Sequence, residues 1–118
     1  MIEMSNTTVS VSVFTNRGES RIFSADVTDS GSTYGELTDV ITGNSLGDSL
    51  QGQTIVKAMA SCENFVISPG ILFIDNQNNV IGSVGVVQPE QVQPQWESVN
   101  IGVALNYTVK ALTSASVA

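Results

Sequence analysis

The feature that most restricts what this chain can fold into is the run over residues 99–109. Val99, Ile101, Val103, Leu105, Tyr107 and Val109 are apolar. Asn100, Gly102, Ala104, Asn106, Thr108 and Lys110 alternate with them and are small, polar or charged. A strand turns successive side chains to opposite faces, so this alternation gives one apolar face and one wetted face. No other part of the chain alternates for so long. The run predicts a strand, opened by Trp96, that completes a sheet in this molecule or in a neighbour. Ahead of it, residues 88–95 hold Pro89, Pro94 and four glutamines and read as a semi-extended linker. The chain thus divides into a domain over 1–87, a linker over 88–95, and a C-terminal strand and tail over 96–118.

Within the first part, residues 8–14 read as a strand, with Val9, Val11 and Val13 on one face. Asn16-Arg17-Gly18 makes a turn. Residues 21–27 return as a second strand with Phe23, Ala25 and Val27 toward the core. After a loop over 29–32, Thr33 and Glu36 fit a capping box. Tyr34, Leu37, Val40 and Ile41 then fall on one helical face, and Gly43 is placed to end the helix. Residues 44–53 read as loop. Residues 54–60 allow a strand or, through Ala58-Met59-Ala60, a helical turn; the strand is favoured. Phe65, Val66 and Ile67 form a short apolar patch stopped by Pro69. Residues 70–87 read as a second hairpin around a turn at 75–79, where Asn78 and Asn79 tolerate left-handed backbone. Gly82 and Gly85 are candidate bulges.

Hairpin, short helix, then further strands is an element order that resembles the β-grasp, or ubiquitin-like, fold. Thr33-Tyr34-Gly35-Glu36-Leu37-Thr38-Asp39-Val40-Ile41 is similar to the helix start of the small bacterial sulfur carriers of that class. The resemblance spans about residues 7–87. It implies an α+β, β-grasp-like mixed sheet with one short helix, to which the C-terminal strand or arm is added. Sulfur carriers end in Gly-Gly, whereas this sequence ends Ser-Ala-Ser-Val-Ala, so an activated, conjugated terminus is not implied.

Composition narrows the function classes. The net charge is −7, and Arg17, Arg21, Lys57 and Lys110 are the only cations. Nucleic-acid binding needs many Lys and Arg on phosphates, so no nucleic acid is expected as partner. An anionic membrane surface is disfavoured for the same reason. No basic, apolar leader and no membrane-length apolar run is legible, and the expected location is a virion or otherwise the cytoplasm. Only 13% of residues are charged, and Ser, Thr, Asn and Gln do most of the solubilising. A neutral, hydrogen-bonding exterior suits close packing beside copies of itself, and in this the chain resembles small phage capsid, cement or tail proteins.

Chemistry is hard to assemble from these residues. There is no His, and Cys62 is the one cysteine, so it lacks the usual base and reads as a small apolar residue. Asp26, Asp29, Glu36 and Asp39 are close enough in sequence for calcium to bridge some of them, or they are a loop acid, a cap acid and a solvated face. Asp48, Asp75 and Glu97 could supply paired carboxylates but sit where acids are ordinary. No enzyme activity, metal or cofactor is expected. Trp96 is either an interface anchor or the lid of its own core, and Tyr107 reads as core. The favoured reading is a non-enzymatic structural protein that pairs with itself, or with other shell proteins, by strand addition. Its interface residues would be Trp96, Val99, Ile101, Val103, Leu105, Tyr107 and Val109. The alternative is a monomeric interaction module that binds a protein or a small ligand.

Overall fold

A computed structural model describes residues 6–28, 34–65, 70–99 and 101–115. The first hairpin is as expected: β1 (Asn6–Thr15) and β2 (Ser20–Thr28) pair antiparallel, with Val11 opposite Phe23. The third element is not the expected helix. It is β3 (Gly35–Asp39), with Leu37 and Asp39 buried inward. Tyr34, Val40 and Ile41, which a helix would have buried beside Leu37, are all exposed. The physical reason is tertiary: β3 supplies hydrogen bonds to β2 and to a late strand, and this outweighs a local helical spacing. Thr33, the proposed cap, lies outside the described residues.

The one described helix falls in the expected loop. It is α1 (Leu46–Ser49), and Ser45 Oγ accepts from Asp48 N at 3.3 Å at its start. Next come β4 (Ile55–Cys62), β5 (Gly70–Ile74) and β6 (Val80–Val87), with β5 and β6 forming the expected second hairpin. β7 is only Glu97–Ser98, and β8 is Lys110–Thr113. Val66, Ile67 and Pro69 of the apolar patch lie outside the described residues.

Seven strands close on themselves in the order β1-β2-β3-β8-β5-β6-β4, and β4 returns to β1. The fold is therefore a closed β-barrel with one additional short strand and a short helix, and not a β-grasp sheet. Closure removes the free edges that an open sheet would offer. Along β1, Val9, Val11, Val13 and Thr15 face inward while Ser10 and Ser12 face outward. Two bulges adjust the wall. Thr15 pairs Ile55 whereas Phe14 pairs Lys57, which leaves Val56 extra. That extra residue lets Ile55 and then Ala58, Ala60 and Cys62 all point inward, which explains why the 54–60 pattern is ambiguous in sequence. In β6 the extra residue is Ile81, beside Gly82.

The 99–109 run is not a strand. Val99, Ile101, Leu105 and Val109 are buried, at spacings of two, four and four, while Val103 and Tyr107 are exposed. The segment folds across one end of its own barrel. Val99 N donates to Val56 O, Leu105 N to Gln53 O, Gly52 N to Leu105 O and Gly47 N to Val109 O. An Asx turn at Asn106, which accepts from Thr108 N at 3.0 Å, breaks the extended path. The strand that completes the barrel is the four-residue β8, between β3 and β5. Within residues 88–95, Gln91 N and Val92 N both donate to Gln88 O, so the first part of the segment is a turn.

Two glycines are set by close approach. A Cβ on Gly47 would lie 1.8 Å from Asn106 O, so α1 and the covering segment touch backbone to backbone. A Cβ on Gly82 would meet Ile101 Cγ1 at 2.8 Å and Val99 Cγ1 at 3.2 Å. Val99 and Ile101 thus fill the space beside β6 ahead of its short parallel pairing with β4 at Ala60–Val86 and Ser61–Val87.

Candidate functional site

Barrel closure leaves chemistry to the outer faces and rims. One concavity lies outside β3, β8 and β5. Its floor is built by register: Leu112 stands opposite Leu72 and beside Glu36, and Ile74 stands opposite Lys110. Tyr34 enters from the start of β3, and Tyr107 and Thr108 from the loop before β8. The β5–β6 turn closes the third side with Asp75, Asn76 and Asn78. The cleft is open to solvent and holds about 560 Å³, within the roughly 300–1,000 Å³ usual for small-ligand sites. Tyr34 is 60% exposed and Tyr107 67%.

The turn is fixed before any ligand arrives. Asp75 Oδ1 accepts from Gln77 N and Asn79 N, each at 2.9 Å, and Oδ2 accepts from Asn79 Nδ2 at 3.2 Å. Asn78 adopts a left-handed φ of 63°. These hydrogen bonds, that from Asn79 N first, hold the Asp75 carboxyl below its ordinary pKa. Asp75 is therefore spent on the turn. Among the described residues, the side-chain amides of Asn76 and Asn78 have no hydrogen-bond partner. Across the floor, Lys110 Nζ lies 3.7 Å from Glu36 Oε2, a loose and half-exposed ion pair.

A second polar constellation is structural. Thr15 Oγ1 donates to Gln53 Oε1 at 2.6 Å, and Gln53 Nε2 donates to Glu19 Oε2 at 2.7 Å. Arg21 bridges Glu19 at 2.9 Å and Asp39 at 3.1 Å. Asp39 also accepts from Ile41 N and Thr42 N. The hydrogen bond from Gln53, then that from Arg21, lowers the Glu19 pKa. Burial pushes Asp39 upward, but its hydrogen bonds from Ile41, Ser49 and Thr42 and the Arg21 charge outweigh this and hold it low. The network spends its groups on one another and ties β1, β2, β3 and the α1 region together.

The residues expected to carry an interface are dispersed. Val99, Ile101, Leu105 and Val109 lie in the barrel core. Trp96 is 40% exposed on the outside of the barrel, packed edge-on to Phe14 at 6.4 Å. Lys57 Nζ sits 4.7 Å from the Phe14 ring and 5.1 Å from Trp96. Tyr107, expected in the core, lines the cleft instead. Asp26 accepts from Thr8, Glu36 pairs with Lys110, Asp39 pairs with Arg21, and Asp29 lies outside the described residues. Asp48 and Glu97 are exposed on α1 and β7. Cys62 is buried, with its Sγ 3.3 Å from Thr7 Oγ1.

Sequence reasoning missed Tyr34, Asn76 and Asn78 as one site. The usable signal was in the turn: Asp75-Asn76-Gln77-Asn78-Asn79 holds more side-chain amides than a two-strand reversal requires. No protein-family model, curated protein or solved structure matches the chain, and the phage-protein likeness drawn from composition is withdrawn with the β-grasp one. No helix among the described residues is long and apolar enough to cross a membrane.

Proposed function

We propose that this chain is a non-catalytic binding module that works as a monomer and takes a ligand into the cleft between Tyr34 and Tyr107. The observation that carries this reading is the pair of largely exposed tyrosines set beside a turn fixed by Asp75, with two amides that are unpartnered among the described residues. Two tyrosines exposed together around a concavity of small-ligand size favour recognition. The barrel supports the reading because it is closed by its own chain. Its C-terminal segment bonds to residues 47–56 of the same molecule, so strand exchange would first have to strip it away.

A second reading, self-association, is favoured by one observation. Ile22, Val40 and Ile41 form an exposed apolar patch where Val40 N donates to Ile22 O. Sedimentation velocity on the full chain across a wide concentration range separates the two. The binding-module reading predicts a monomer throughout. Association abolished by Ile41→Ser would favour the second reading. Association abolished by Tyr34→Ser or Tyr107→Ser would mean that the cleft face meets another copy, and would overturn the first.

A further inference from the structure

We infer that the ligand of the Tyr34–Tyr107 cleft is an uncharged saccharide; this rests on the binding-module reading and names its ligand class. Three features of the cleft point the same way. First, a pyranose ring presents C–H bonds on its faces and hydroxyls around its rim. A tyrosine ring covers such a face with large contact area and few rotatable bonds to immobilise. Two of them, Tyr34 and Tyr107, line this cleft and are mostly exposed.

Second, a hydroxyl both donates and accepts, and the side chain that answers it in both senses is an amide. Asn76 and Asn78 reach the cleft from a turn whose shape is fixed by Asp75, and among the described residues neither amide is engaged. Glu36 and Lys110 are held only loosely to each other at 3.7 Å, so each can turn to a hydroxyl.

Third, the charge of the site selects against the competing small ligands. Glu36 and Asp75 outnumber the one cation, Lys110, in a chain of net charge −7. Phosphates, nucleotides and acidic sugars are repelled by that balance. A wholly apolar ligand would strip water from the Glu36 carboxylate and the two amides without replacing their hydrogen bonds. A neutral sugar meets neither penalty.

The test is a titration of the isotope-labelled full chain, followed by amide chemical shifts, with four neutral oligosaccharides: cellohexaose, xylohexaose, maltohexaose and N-acetylchitohexaose. Decalysine serves as the alternative, a cationic peptide. At least one sugar should give saturable shifts centred on Tyr34, Asn76, Asn78 and Tyr107. Tyr107→Ala and Asn76→Ala, both exposed and each checked by its own spectrum for an unchanged fold, should weaken that sugar at least about tenfold. No response to any of the four sugars overturns the saccharide assignment, as does a response to decalysine alone or a sugar response centred elsewhere. A chain that remains monomeric through such a failure retains the binding-module reading. Association through the cleft face defeats both.

Discussion

Asp39 is a buried carboxylate whose oxygens are both engaged. It takes hydrogen bonds from Ile41 N and Thr42 N and pairs with Arg21 at 3.1 Å. Its pKa, like that of Glu19, is lower in the folded chain than in the unfolded one. A depressed carboxyl contributes stability that is present above its unfolded pKa and is lost as pH falls through the folded value. Stability should therefore hold from neutral pH down to about pH 5 and fall below about pH 4. Urea melts across that range check this, and Asp39→Asn should flatten part of the slope while lowering stability at pH 7. Thr113 makes the opposite case. Its Oγ1 is fully buried in the barrel with no partner among the described residues. Thr113→Val keeps the shape and removes the unpaired hydroxyl, so it should raise stability by about 1 kcal/mol in the same melts.

Among the elements, the segment that crosses the barrel end is seated by close contacts with α1 and β6. Gly47→Ala drives a methyl group into the Asn106 carbonyl, which is backbone and cannot swing aside. Gly82→Ala meets Ile101 Cγ1 at 2.8 Å and a methyl of Val99 at 3.2 Å, which are side-chain and not backbone atoms and have some room to give. The first should cost about 3 kcal/mol and the second about 1 kcal/mol in denaturant unfolding. A reversed order would mean that the segment is not seated as described.

The same elements mark how much was legible in the sequence. The hairpins declared themselves because each needs only local alternation and a turn, as in Val9-Val11-Val13 against Phe23, or Asp75 to Asn79. β3 did not, because Tyr34, Leu37, Val40 and Ile41 happen to repeat at helical spacing while one of the strand's two partners, β8, lies some 75 residues away, near Leu112. The 99–109 run misled for a related reason. Its alternation is real, but its inward residues cover a barrel end, where turns at Asn106 serve as well as a strand. The site was less legible still. Tyr34 and Tyr107 are far apart in sequence, and only pairing of β8 with β3 and β5 brings them to one cleft.

The whole molecule is defined by closure. Six of the seven barrel strands precede residue 88, and the seventh is β8 near the C-terminal end. The barrel cannot close until nearly all of the chain is present. Most neighbouring strands pair over long sequence separations, and such non-local pairing favours slow, cooperative folding. The outer faces of β1 and β2 carry Thr8, Ser10, Ser12 and Ser24 while valines and Phe23 fill the interior, the reverse of a lipid-facing barrel. Closure also brings the outside of β3, β8 and β5 together as the floor around which Tyr34, Asn76, Asn78 and Tyr107 meet.

The most direct test of this account is native-state hydrogen exchange at Ala111, Leu112 and Thr113. These residues pair on both sides, with β3 and with β5. If β8 closes its own barrel, their amides should exchange only through global unfolding, with protection equal to that of Val11 and Ala60 and independent of protein concentration. Rapid exchange at β8, or protection that rises with concentration, would mean that the last strand is not a stave of its own barrel.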